Sequence, residues 1–422
     1  MRILFLSEIG DPGVGSSVRQ TFQLARRLRG LGHETAVVAT VRDAAQAFPT
    51  EVDGTLVFRL HSDYPLRWRA WVSLHNRAVD RPLDAVLAEW RPDVVHAHLV
   101  HTHLGYHALT QARRAGAAVV FTAHDVMTYC YQKLTCFHGG EAHGGRLWDV
   151  TARPSKCIPC QRFRFRPGRN RAIGRVLERD VHRFTVVSDA LGEVLGANGI
   201  RVDRTVHNAI ELAAERPAAD AVAAFRARHR LEGKRVLAIG GRLHSQKGVG
   251  KLLEMLARLA PEFADLRLIV MGKREVWDGE FLPQARELGV ADRVVPTGWL
   301  DASELALAYA AADVFVTPSL CFDTFGIVNL EAMEHAKPVV ATTFGGSREV
   351  VEDGRTGFVA NPFDVAEYAE RIAVLLRDEA LRLRMGQAGR ARLEERFTID
   401  RLTAELLEEY GHARAAARTG MP

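Results

Sequence analysis

Short apolar runs alternate with stretches of helical periodicity along this chain, and the rhythm restarts near residue 236. In the first half, the predicted strands Arg2 to Ser7 and Glu34 to Ala39 flank a helix whose apolar face includes Val18 and Phe22. Such alternation is typical of βα units built around a parallel sheet. In a chain of 422 residues, where a single core usually divides, it predicts two Rossmann-like, doubly wound α/β domains.

The boundary between the two domains is predicted near residue 210. Residues 211–233 are rich in Ala and Arg and carry weak strand signals, which favours a linker with one helix. We therefore assign residues 1–209, with a Cys- and Arg-rich insertion at 127–171, to an N-terminal domain and residues 210–397 to a C-terminal domain. Residues 398–422 are expected to form a helix that packs back on the N-terminal domain. Ligands bind outside the carboxyl ends of the strands in such sheets, so we expect the two domains to face each other across a cleft that holds the site.

Charge and hydropathy exclude some classes of protein. The net charge is +5 and no nucleic-acid motif accompanies it, so nucleic acid is not an expected partner. No apolar run reaches the about 18 residues of a membrane span, and the first residues are interrupted too soon for a signal peptide. We therefore expect a cytoplasmic protein.

A glycine-rich turn lies between a predicted strand and a predicted helix, with the sequence Gly240-Gly-Arg-Leu-His-Ser-Gln-Lys-Gly248. Glycines such as Gly241 let the backbone approach a ligand closely, and a helix N-terminus favours an anion. Arg242 and Lys247 add two cationic donors, which suit a diphosphate leaving group. The alternative is an ordinary turn with its cations in solvent.

A second block runs from Pro318 to Met333 and contains two carboxylates, Asp323 and Glu331. Glu331 follows a predicted helix start at Gly326, where a carboxylate can accept hydrogen bonds from ribose hydroxyls. Asp323, in the loop, could hold sugar hydroxyls, and we assign Phe325 and Gly326 to nucleotide binding as well. The alternative is an acidic residue near a helix N-terminus beside a surface loop.

Two further strand ends carry candidate residues. Gly345 and Gly346 follow a strand and open a helix, which makes another turn that suits an anion. His124 ends a strand of the first half, where its imidazole could hydrogen-bond a sugar or shuttle a proton. A histidine with a purely structural role is the alternative.

Together these residues resemble the GT-B glycosyltransferases, specifically the large retaining family four, the glycosyl transferases group 1. The resemblance covers nearly the whole chain, from Gly-His33-Glu through Asp93-Val-Val-His-Ala-His98 to Gly345-Gly346. The block from Asp313 to Met333 is its most specific part. One position departs from the pattern, because Asp323 stands where the family usually has glutamate.

The resemblance implies transfer of a sugar from a nucleoside-diphosphate sugar to a hydroxyl group, with retained anomeric configuration. Family frequency favours a UDP-sugar, and the acceptor is a small molecule, a natural product or a lipid-linked saccharide. No catalytic metal is expected, because cationic side chains neutralise the leaving group. The implied roles are these: diphosphate binding by Arg242 and Lys247, ribose binding by Glu331, donor-sugar contacts by Asp323 and His124, and proximity to acceptor or phosphate at Gly13 and Gly15.

Other functions on the same fold stay open. An epimerase would need no acceptor, and a phosphorylase would release a sugar phosphate. A catalytically silent protein that binds sugar nucleotides is a third alternative, to which only Asp323 points.

Four cysteines cluster in the insertion, namely Cys130, Cys136, Cys157 and Cys160. Four thiolates could close a tetrahedral structural zinc site, with His138 and His143 as alternative ligands. An iron–sulfur cluster, a disulfide and four reduced thiols are the other interpretations.

Arginines alternate with aromatic residues in Arg162-Phe-Arg-Phe-Arg166, and more arginines follow, including Arg169. Such a segment could bind an anionic acceptor or the inner surface of a membrane, where the protein would be peripheral. A solvated, partly mobile loop is the alternative.

Overall fold

The computed structural model describes residues 1–132, 134–141, 144–145 and 149–419. The chain forms two compact units. Unit 1 comprises Met1–Leu134, Val150–Ala209 and Ile399–Pro422, whereas unit 2 comprises Thr135–Asp149 and Ile210–Thr398. The division between residues 209 and 210 coincides with the predicted domain boundary.

Strands of the described residues are numbered in chain order: β1 (Arg2–Ser7), β2 (Glu34–Val41), β3 (Thr50–Val52), β4 (Thr55–His61), β5 (Val94–Leu99), β6 (Ala118–Ala123), β7 (Arg183–Val186), β8 (Arg204–Thr205), β9 (Val236–Gly240), β10 (Arg267–Met271), β11 (Val294–Gly298), β12 (Val314–Thr317), β13 (Val339–Thr342) and β14 (Gly357–Ala360).

The α-helices of the same residues are α1 (Ser16–Gly30), α2 (Arg69–Val72), α3 (Arg77–Trp90), α4 (His107–Arg114), α5 (Pro154–Gln161), α6 (Arg169–Asp180), α7 (Asp189–Gly196), α8 (Ala219–Arg228), α9 (Val249–Leu259), α10 (Arg274–Val276), α11 (Leu282–Glu287), α12 (Ala302–Ala311), α13 (Ile327–Glu334), α14 (Ser347–Val350), α15 (Val365–Arg377), α16 (Glu379–Arg396) and α17 (Ile399–Thr419).

The sheet of unit 1 has the strand order β3-β4-β2-β1-β5-β6-β7-β8. Its inner strands are parallel and buried on both faces, which explains their continuous apolar runs. The hairpin of β3 and β4 is antiparallel and was absent from the sequence prediction. Asp53 and Gly54 connect its strands, both with positive φ (48° and 69°). An Asp-Gly pair in this conformation is a typical two-residue hairpin turn.

The sheet of unit 2 is parallel and has the order β11-β10-β9-β12-β13-β14. Strand order therefore reverses between β9 and β12, the point at which doubly wound sheets leave a crevice for ligands. Helix α9 packs on this sheet through a fully buried face that includes Leu252, Leu253 and Leu256. Because the sheet and this face form one core, the loops after β9 and β12 are anchored at their strand ends.

The last helix, α17, belongs to unit 1 although it follows the whole of unit 2 in sequence. Its buried residues Leu402, Leu406 and Tyr410 share a core with Phe5 of β1 and Val120 of β6. The hydroxyl group of Tyr410 also lies 2.7 Å from Nδ1 of the fully buried His96. Unit 1 is thus assembled from both ends of the chain.

Assignment of the entire insertion 127–171 to the N-terminal domain is wrong for residues 135–149, which belong to unit 2. Phe137 is fully buried there, and its ring lies 5.1 Å from the ring of Phe344 and 5.9 Å from that of Phe322. His138 packs 4.8 Å from Phe363. These buried aromatic contacts explain why the segment belongs to unit 2, although the chain on both sides of it belongs to unit 1.

The arginine-rich part of the insertion forms a 3₁₀ helix at Arg162–Arg164 and the start of α6, and one of its arginines is buried. Arg169 is 3% exposed, and its Nη2 donates a 2.8 Å hydrogen bond to the carbonyl group of Met127. The guanidinium carbon lies 4.7 Å from the centre of the Tyr131 ring. The interpretation as a solvated, mobile loop is therefore wrong at Arg169, whose charge is satisfied inside unit 1.

Candidate functional site

The glycine-rich turn after β9 packs directly against the loop after β12. Gly248 has φ of +76°, and a Cβ atom there would lie 1.8 Å from the carbonyl oxygen of Pro318. The amide groups of Leu320 and Cys321 both donate to the carbonyl oxygen of Gln246, at 2.8 and 3.1 Å. The two loops therefore form one connected surface at the carboxyl edge of the unit 2 sheet, where its strand order reverses.

Lys247 and Asp323 form an ion pair on this surface. Nζ of Lys247 lies 3.2 Å from Oδ2 of Asp323, and the Asp323 side chain is 10% exposed. The hydroxyl group of Ser319 donates to the same carboxylate oxygen at 3.3 Å. Burial lowers the pKa of Lys247, but Asp323, through its charge and its hydrogen bond, and Cys321 together outweigh this effect and raise the pKa above its usual value. Lys247 is therefore cationic at neutral pH.

Arg242 is exposed in the same turn and acts electrostatically on Lys247, because its charge lowers the pKa of the lysine. Gly241, just before it, has φ of +107°, a conformation that favours glycine. The turn thus offers two cations beside the N-terminus of α9, and the loop after β12 adds the carboxylate of Asp323. Such an arrangement can neutralise an anionic group such as a phosphate.

Glu331 lies in α13, which begins just after Gly326 as the sequence predicts. The hydroxyl group of Tyr309, on α12, donates a 2.7 Å hydrogen bond to Oε2 of Glu331. Tyr309 is 3% exposed and its ring stacks on His335, with the centroids 5.8 Å apart. Burial, aided by the Lys337 charge, lowers the pKa of His335 to about 4, so this imidazole is neutral at pH 7. The Glu331 carboxylate is therefore oriented by a rigid, aromatic neighbour.

Gly345 joins the candidate carboxylate Asp323 to the strand end after β13. The two residues form a parallel bridge, and the amide of Gly346 donates a 2.8 Å hydrogen bond to the carbonyl oxygen of Asp323. With φ of +81°, Gly345 has no room for a side chain, because a Cβ atom would lie 2.0 Å from that oxygen. Backbone contact at Gly345 and Gly346 therefore fixes the position of Asp323.

Asn329 is fully buried beneath the start of α13 and joins the second block to α14. Its Oδ1 accepts a 2.9 Å hydrogen bond from Thr317, and its Nδ2 lies 3.3 Å from Oγ of Ser347. Gly326 fits above this pair, since a Cβ atom there would lie 2.7 Å from both side chains. The predicted contact of Gly326 with a nucleotide is untested, but the requirement for glycine is explained.

Phe325 was also assigned to nucleotide binding, and the structure turns its side chain inward. It is 1% exposed, and its ring packs 5.9 Å from the ring of Phe397. Any contact between Phe325 and a ligand would therefore come from its backbone.

His124 follows β6 at the carboxyl edge of the unit 1 sheet, within a group of histidines. Its Nε2 lies 2.8 Å from Nδ1 of His98. Burial is the main cause that lowers the pKa of His124 to about 4, while the neighbouring Asp125 works in the opposite direction. Burial also holds the pKa of His98 well below its usual range. Both imidazoles are therefore neutral at pH 7 and can donate or accept one hydrogen bond at each nitrogen.

Glu8 follows β1 at the same edge and holds the loop after β5. Its Oε1 accepts hydrogen bonds from the backbone amides of Thr102 and Leu104, the latter at 3.4 Å. Burial raises the pKa of Glu8 to about 7, although these amides act to lower it. Glu8 is thus a carboxylate that titrates near neutral pH.

The glycine-rich loop after β1 is exposed. The amide of Gly13 donates a 2.8 Å hydrogen bond to Oδ1 of Asp11, and Gly15 precedes α1 with extended backbone. Because nothing lies within 4 Å of a Cβ atom built on Gly15, the fold leaves this position open. The predicted proximity of Gly13 and Gly15 to an acceptor or phosphate stays a prediction.

The clustered cysteines are divided between the units, since Cys136 is in unit 2 and the other three are in unit 1. Among the described residues of unit 1, the side chains that converge closely enough for a metal do not include Cys130, Cys157 or Cys160. His143 lies outside the described residues. The structure gives the zinc assignment no support from geometry, and it stays a prediction.

Sequence reasoning missed Tyr309 and Glu8. Tyr309 is 22 positions before its partner Glu331, on another helix, and nothing in the local pattern points to it. Glu8 could have been found, because an acidic residue directly after a buried first strand lies at the carboxyl edge of the sheet.

Family models match both halves of the chain. The description "Glycosyltransferase Family 4" applies to residues 17–214, and "Glycosyl transferases group 1" applies to residues 222–392. Between them these matches leave out only the two ends and a short stretch at the domain boundary.

Curated relatives are similar over much of the chain. A sulfoquinovosyl transferase, SQD2, from Arabidopsis thaliana is 28% identical over 391 residues, or 90% of this chain and 68% of that protein. A phosphatidyl-myo-inositol mannosyltransferase from Mycobacterium leprae is 30% identical over 247 residues, or 58% of this chain and 60% of that protein.

Solved structures share the fold. A sucrose-phosphate synthase from Thermosynechococcus elongatus superposes with a TM-score of 0.75 at 20% identity, covering 98% of this chain and 99% of the other. HepE from Anabaena, solved with UDP-glucose, gives a TM-score of 0.72 at 19% identity, with 97% and 99% covered.

A search of the described helices found none that is long and apolar enough to cross a membrane. The two family matches, the relatives and the shared fold lead to one assignment. The chain belongs to the family-four glycosyltransferases with the GT-B fold, the glycosyl transferases group 1.

Proposed function

We propose that this glycosyltransferase moves a sugar from a nucleoside-diphosphate sugar, with UDP as the nucleotide, to a hydroxyl group of its acceptor. The observation that carries the proposal is the ion pair of Lys247 and Asp323 at the glycine-rich turn of unit 2. Arg242 and Lys247 would neutralise the diphosphate, whose negative charge grows as the bond to the sugar breaks. The choice of UDP is supported by HepE, which was solved with UDP-glucose.

Glu331 would accept hydrogen bonds from the two ribose hydroxyls. Its Oε2 is already held by Tyr309, so the carboxylate is oriented before a ligand arrives. Preorganisation of this kind strengthens binding, because less side-chain freedom is lost. Asp323 would hold hydroxyl groups of the donor sugar through the carboxylate that also pairs with Lys247.

The reaction would proceed with retained configuration. The acceptor oxygen forms a bond to the anomeric carbon on the face from which the diphosphate departs. The bonding electron pair goes to the leaving phosphate oxygen, and that oxygen takes the proton of the acceptor hydroxyl. This route needs no nucleophilic side chain, whereas a double displacement would require a carboxylate on the opposite face.

Acceptor binding is assigned to unit 1, at the carboxyl edge of its sheet. Glu8, His98 and His124 lie there, and the two neutral imidazoles could hydrogen-bond hydroxyl groups. The relatives include enzymes named for glycosylated lipids and polymers, such as the mannosyltransferase and a glycogen synthase. A small molecule, a natural product and a lipid-linked saccharide are therefore the acceptor classes to test.

A donor panel tests the proposal. Thermal shifts are measured with UDP-, GDP- and ADP-sugars, since a ligand that binds the native state raises its stability. The stabilising donor is then incubated with an acceptor library, and the product's anomeric configuration is determined by NMR. We expect UDP-sugars to stabilise the protein and the product to keep the anomeric configuration of the donor sugar. Inversion, or preference for another nucleotide, would overturn the finer assignment.

The same assay separates the alternatives on this fold. An epimerase would convert the donor sugar without an acceptor, and a phosphorylase would form sugar phosphate when phosphate is added. A silent binding protein would be stabilised by a donor but would neither transfer nor hydrolyse it.

A further inference from the structure

Three side chains of unit 1 that do not belong to the candidate site bring possible metal-ligand atoms close together. They are His75, Asp80 and His107, and one ligand atom from each lies within 4.8 Å of the other two. His75 lies between α2 and α3, Asp80 in the first turn of α3, and His107 begins α4. The group therefore joins three separate elements of the fold.

Backbone contacts fix the relative position of the two histidines. The amide of Tyr106 donates to the carbonyl oxygen of Ser73 at 2.8 Å, and that of His107 to Leu74 at 3.1 Å. Gly105, with φ of +79°, lets the chains approach, because a Cβ atom would lie 3.2 Å from the oxygen of Ser73. The loop before α3 and the start of α4 are thus held together without help from the side chains.

Asp80 is positioned by the cap of its own helix. Oδ1 of Asn76 accepts a 3.2 Å hydrogen bond from the amide of Ala78, and Nδ2 of Asn76 donates to Ser62 at 2.8 Å. The first turn of α3 is therefore anchored, and the carboxylate of Asp80 points to the histidines.

The side chains are close, and one polar atom is unsatisfied. Nε2 of His75 lies 2.7 Å from Oδ2 of Asp80, and the rings of His75 and His107 are 4.0 Å apart. Oδ1 of Asp80 is buried and has no hydrogen-bond partner among the described residues. A buried acceptor of this kind costs about 1–3 kcal/mol unless something supplies the missing interaction. A cation at the group would supply it.

The charge around the group suits a cation. Gln111 donates 2.8 Å hydrogen bonds to the carbonyl oxygen of Asp80 and to Oδ1 of Asp84, so a second carboxylate lies close by.

We propose that His75, Asp80 and His107 bind a divalent transition-metal ion, with zinc as the best match. Two imidazole nitrogens and one carboxylate oxygen are a common zinc donor set, whereas Mg²⁺ and Ca²⁺ prefer oxygen ligands alone. The side chain of His75 is 44% exposed, so water can occupy the remaining coordination positions. The site is separate from the donor-binding turn, which is in unit 2.

Metal at this site would stabilise the segment that leads into α4. Glu8 holds the loop after β5 through Thr102 and Leu104, and His107 lies just beyond that loop. A bound ion would join His107 to α3 and would thereby restrict the loop at its second end. Since the ion binds only the folded arrangement, it raises the thermal midpoint.

Zinc content and affinity test the proposal. Untagged protein is stripped with a chelator, titrated with Zn²⁺ by calorimetry, and analysed for metal after dialysis. The variants are His107→Ala, Asp80→Asn and the exposed-site variant His75→Ala. His61→Ala is the matched control, because His61 is an exposed histidine of unit 1 whose Nε2 lies 3.0 Å from the carbonyl oxygen of Arg42. We expect the three variants to lose about one zinc per chain with circular dichroism unchanged, and the control to keep it.

The clustered cysteines need a separate arm, since they could bind zinc as well. Co²⁺ bound by thiolates gives an intense charge-transfer band in the near ultraviolet, whereas histidine and carboxylate ligands do not. The Cys157→Ser/Cys160→Ser variant should therefore keep the zinc that His75→Ala loses. Equal zinc content in wild type and His75→Ala, or only millimolar affinity in wild type, would overturn the proposal.

Discussion

Nζ of Lys247 lies 3.2 Å from Oδ2 of Asp323, and the two residues come from the loops after β9 and β12. The glycine-rich turn therefore does not present bare cations. With Arg242 it carries two positive charges against one negative, a net charge of +1 before a donor binds. Asp323 holds Lys247 in place and balances its charge, which leaves the charge of Arg242 for the diphosphate that we propose binds here.

Replacing Lys247 with alanine should reduce turnover by about 100-fold or more, as the loss of one preorganised charged donor can. Steady-state kinetics with the preferred donor measures the effect. Lys251→Ala is the control, because this lysine is in the adjacent helix α9 and pairs with Glu254 at 3.0 Å. A Lys247→Ala enzyme with the kinetics of the control would exclude a role in stabilising the leaving group.

Asp323→Ala should lose most activity, because it removes both the proposed sugar contact and the partner of Lys247. Asp323→Glu should stay within about tenfold of the parent, since the carboxylate is retained and its ion pair can re-form. The comparison is made on kcat/KM with protein whose fold is verified by circular dichroism. An alanine variant as active as the parent would show that Asp323 makes no important contact.

Tyr309→Phe should weaken binding of the free nucleoside diphosphate about fivefold, the worth of about one hydrogen bond of 1 kcal/mol. Glu331→Ala should weaken it further, because the acceptor of the ribose hydroxyls is then absent. Calorimetry measures both affinities. Tyr368→Phe is the control, since this buried tyrosine of unit 2 donates to the carbonyl oxygen of Val340 at 2.7 Å and Val340 is not among the residues assigned to nucleotide binding. Unchanged affinity in Glu331→Ala would count against ribose binding.

Gly345→Ala should abolish donor binding and lower stability by several kcal/mol. The new Cβ atom would lie 2.0 Å from the carbonyl oxygen of Asp323, and φ is +81°. Gly354→Ala is the matched control, because φ there is +75° but nothing lies within 4 Å of the new atom. It should cost only about 1–2 kcal/mol of strain and leave donor binding intact. Similar losses in the two variants would mean that the contact with Asp323 is not what requires glycine.

Acid should destabilise unit 1 between about pH 6.5 and pH 4. The pKa of His96 is lowered to about 3 and that of His124 to about 4, chiefly by burial. The unfolded chain binds protons at these histidines in that range and the folded chain does not. The free energy of unfolding therefore decreases as the pH is lowered. Glu8 acts in the opposite direction, because its raised pKa makes stability fall as pH rises from about 4.5 to about 7.

Urea unfolding at several pH values checks this balance. Burial also holds the pKa of His98 well below its usual range, so His98→Gln is expected to flatten the loss of stability below pH 6.5. His61→Gln, at an exposed position of the same unit, should leave the profile unchanged. Parallel pH profiles for wild type and His98→Gln would contradict the assignment.

Local sequence patterns predict most of the fold, because parallel strands buried on both faces give continuous apolar runs. The turn around Gly241 and the start of α13 after Gly326 were also predictable from local sequence, because glycine marks positions where the backbone needs a conformation that other residues rarely adopt. The hairpin at Asp53-Gly54 could have been predicted from its Asp-Gly turn, but its first strand is too short to give a clear strand pattern. These features depend on neighbours in the sequence.

Contacts between individual side chains that are distant in the sequence could not be predicted, although the return of the last helix to the N-terminal domain was expected. Tyr309 contacts Glu331 because α12 and α13 pack beside the same strands. The spacing of these two residues in the sequence does not reveal that packing. Likewise, residues 135–149 belong to unit 2 through aromatic contacts of Phe137, although both flanking segments are in unit 1. Burial of a few large side chains decided these placements, and a periodicity argument does not detect them.

Because α17 belongs to unit 1, the two units can complete their cores at different times during synthesis. Residues 314 positions apart, His96 and Tyr410, meet in the core of unit 1, so this core cannot close until the ribosome has released residues beyond 410. Unit 2 is nearly continuous and can fold as its own strands emerge. Contacts between such distant residues form slowly, and until α17 arrives the apolar surface that it covers is exposed to chaperones and to other nascent chains.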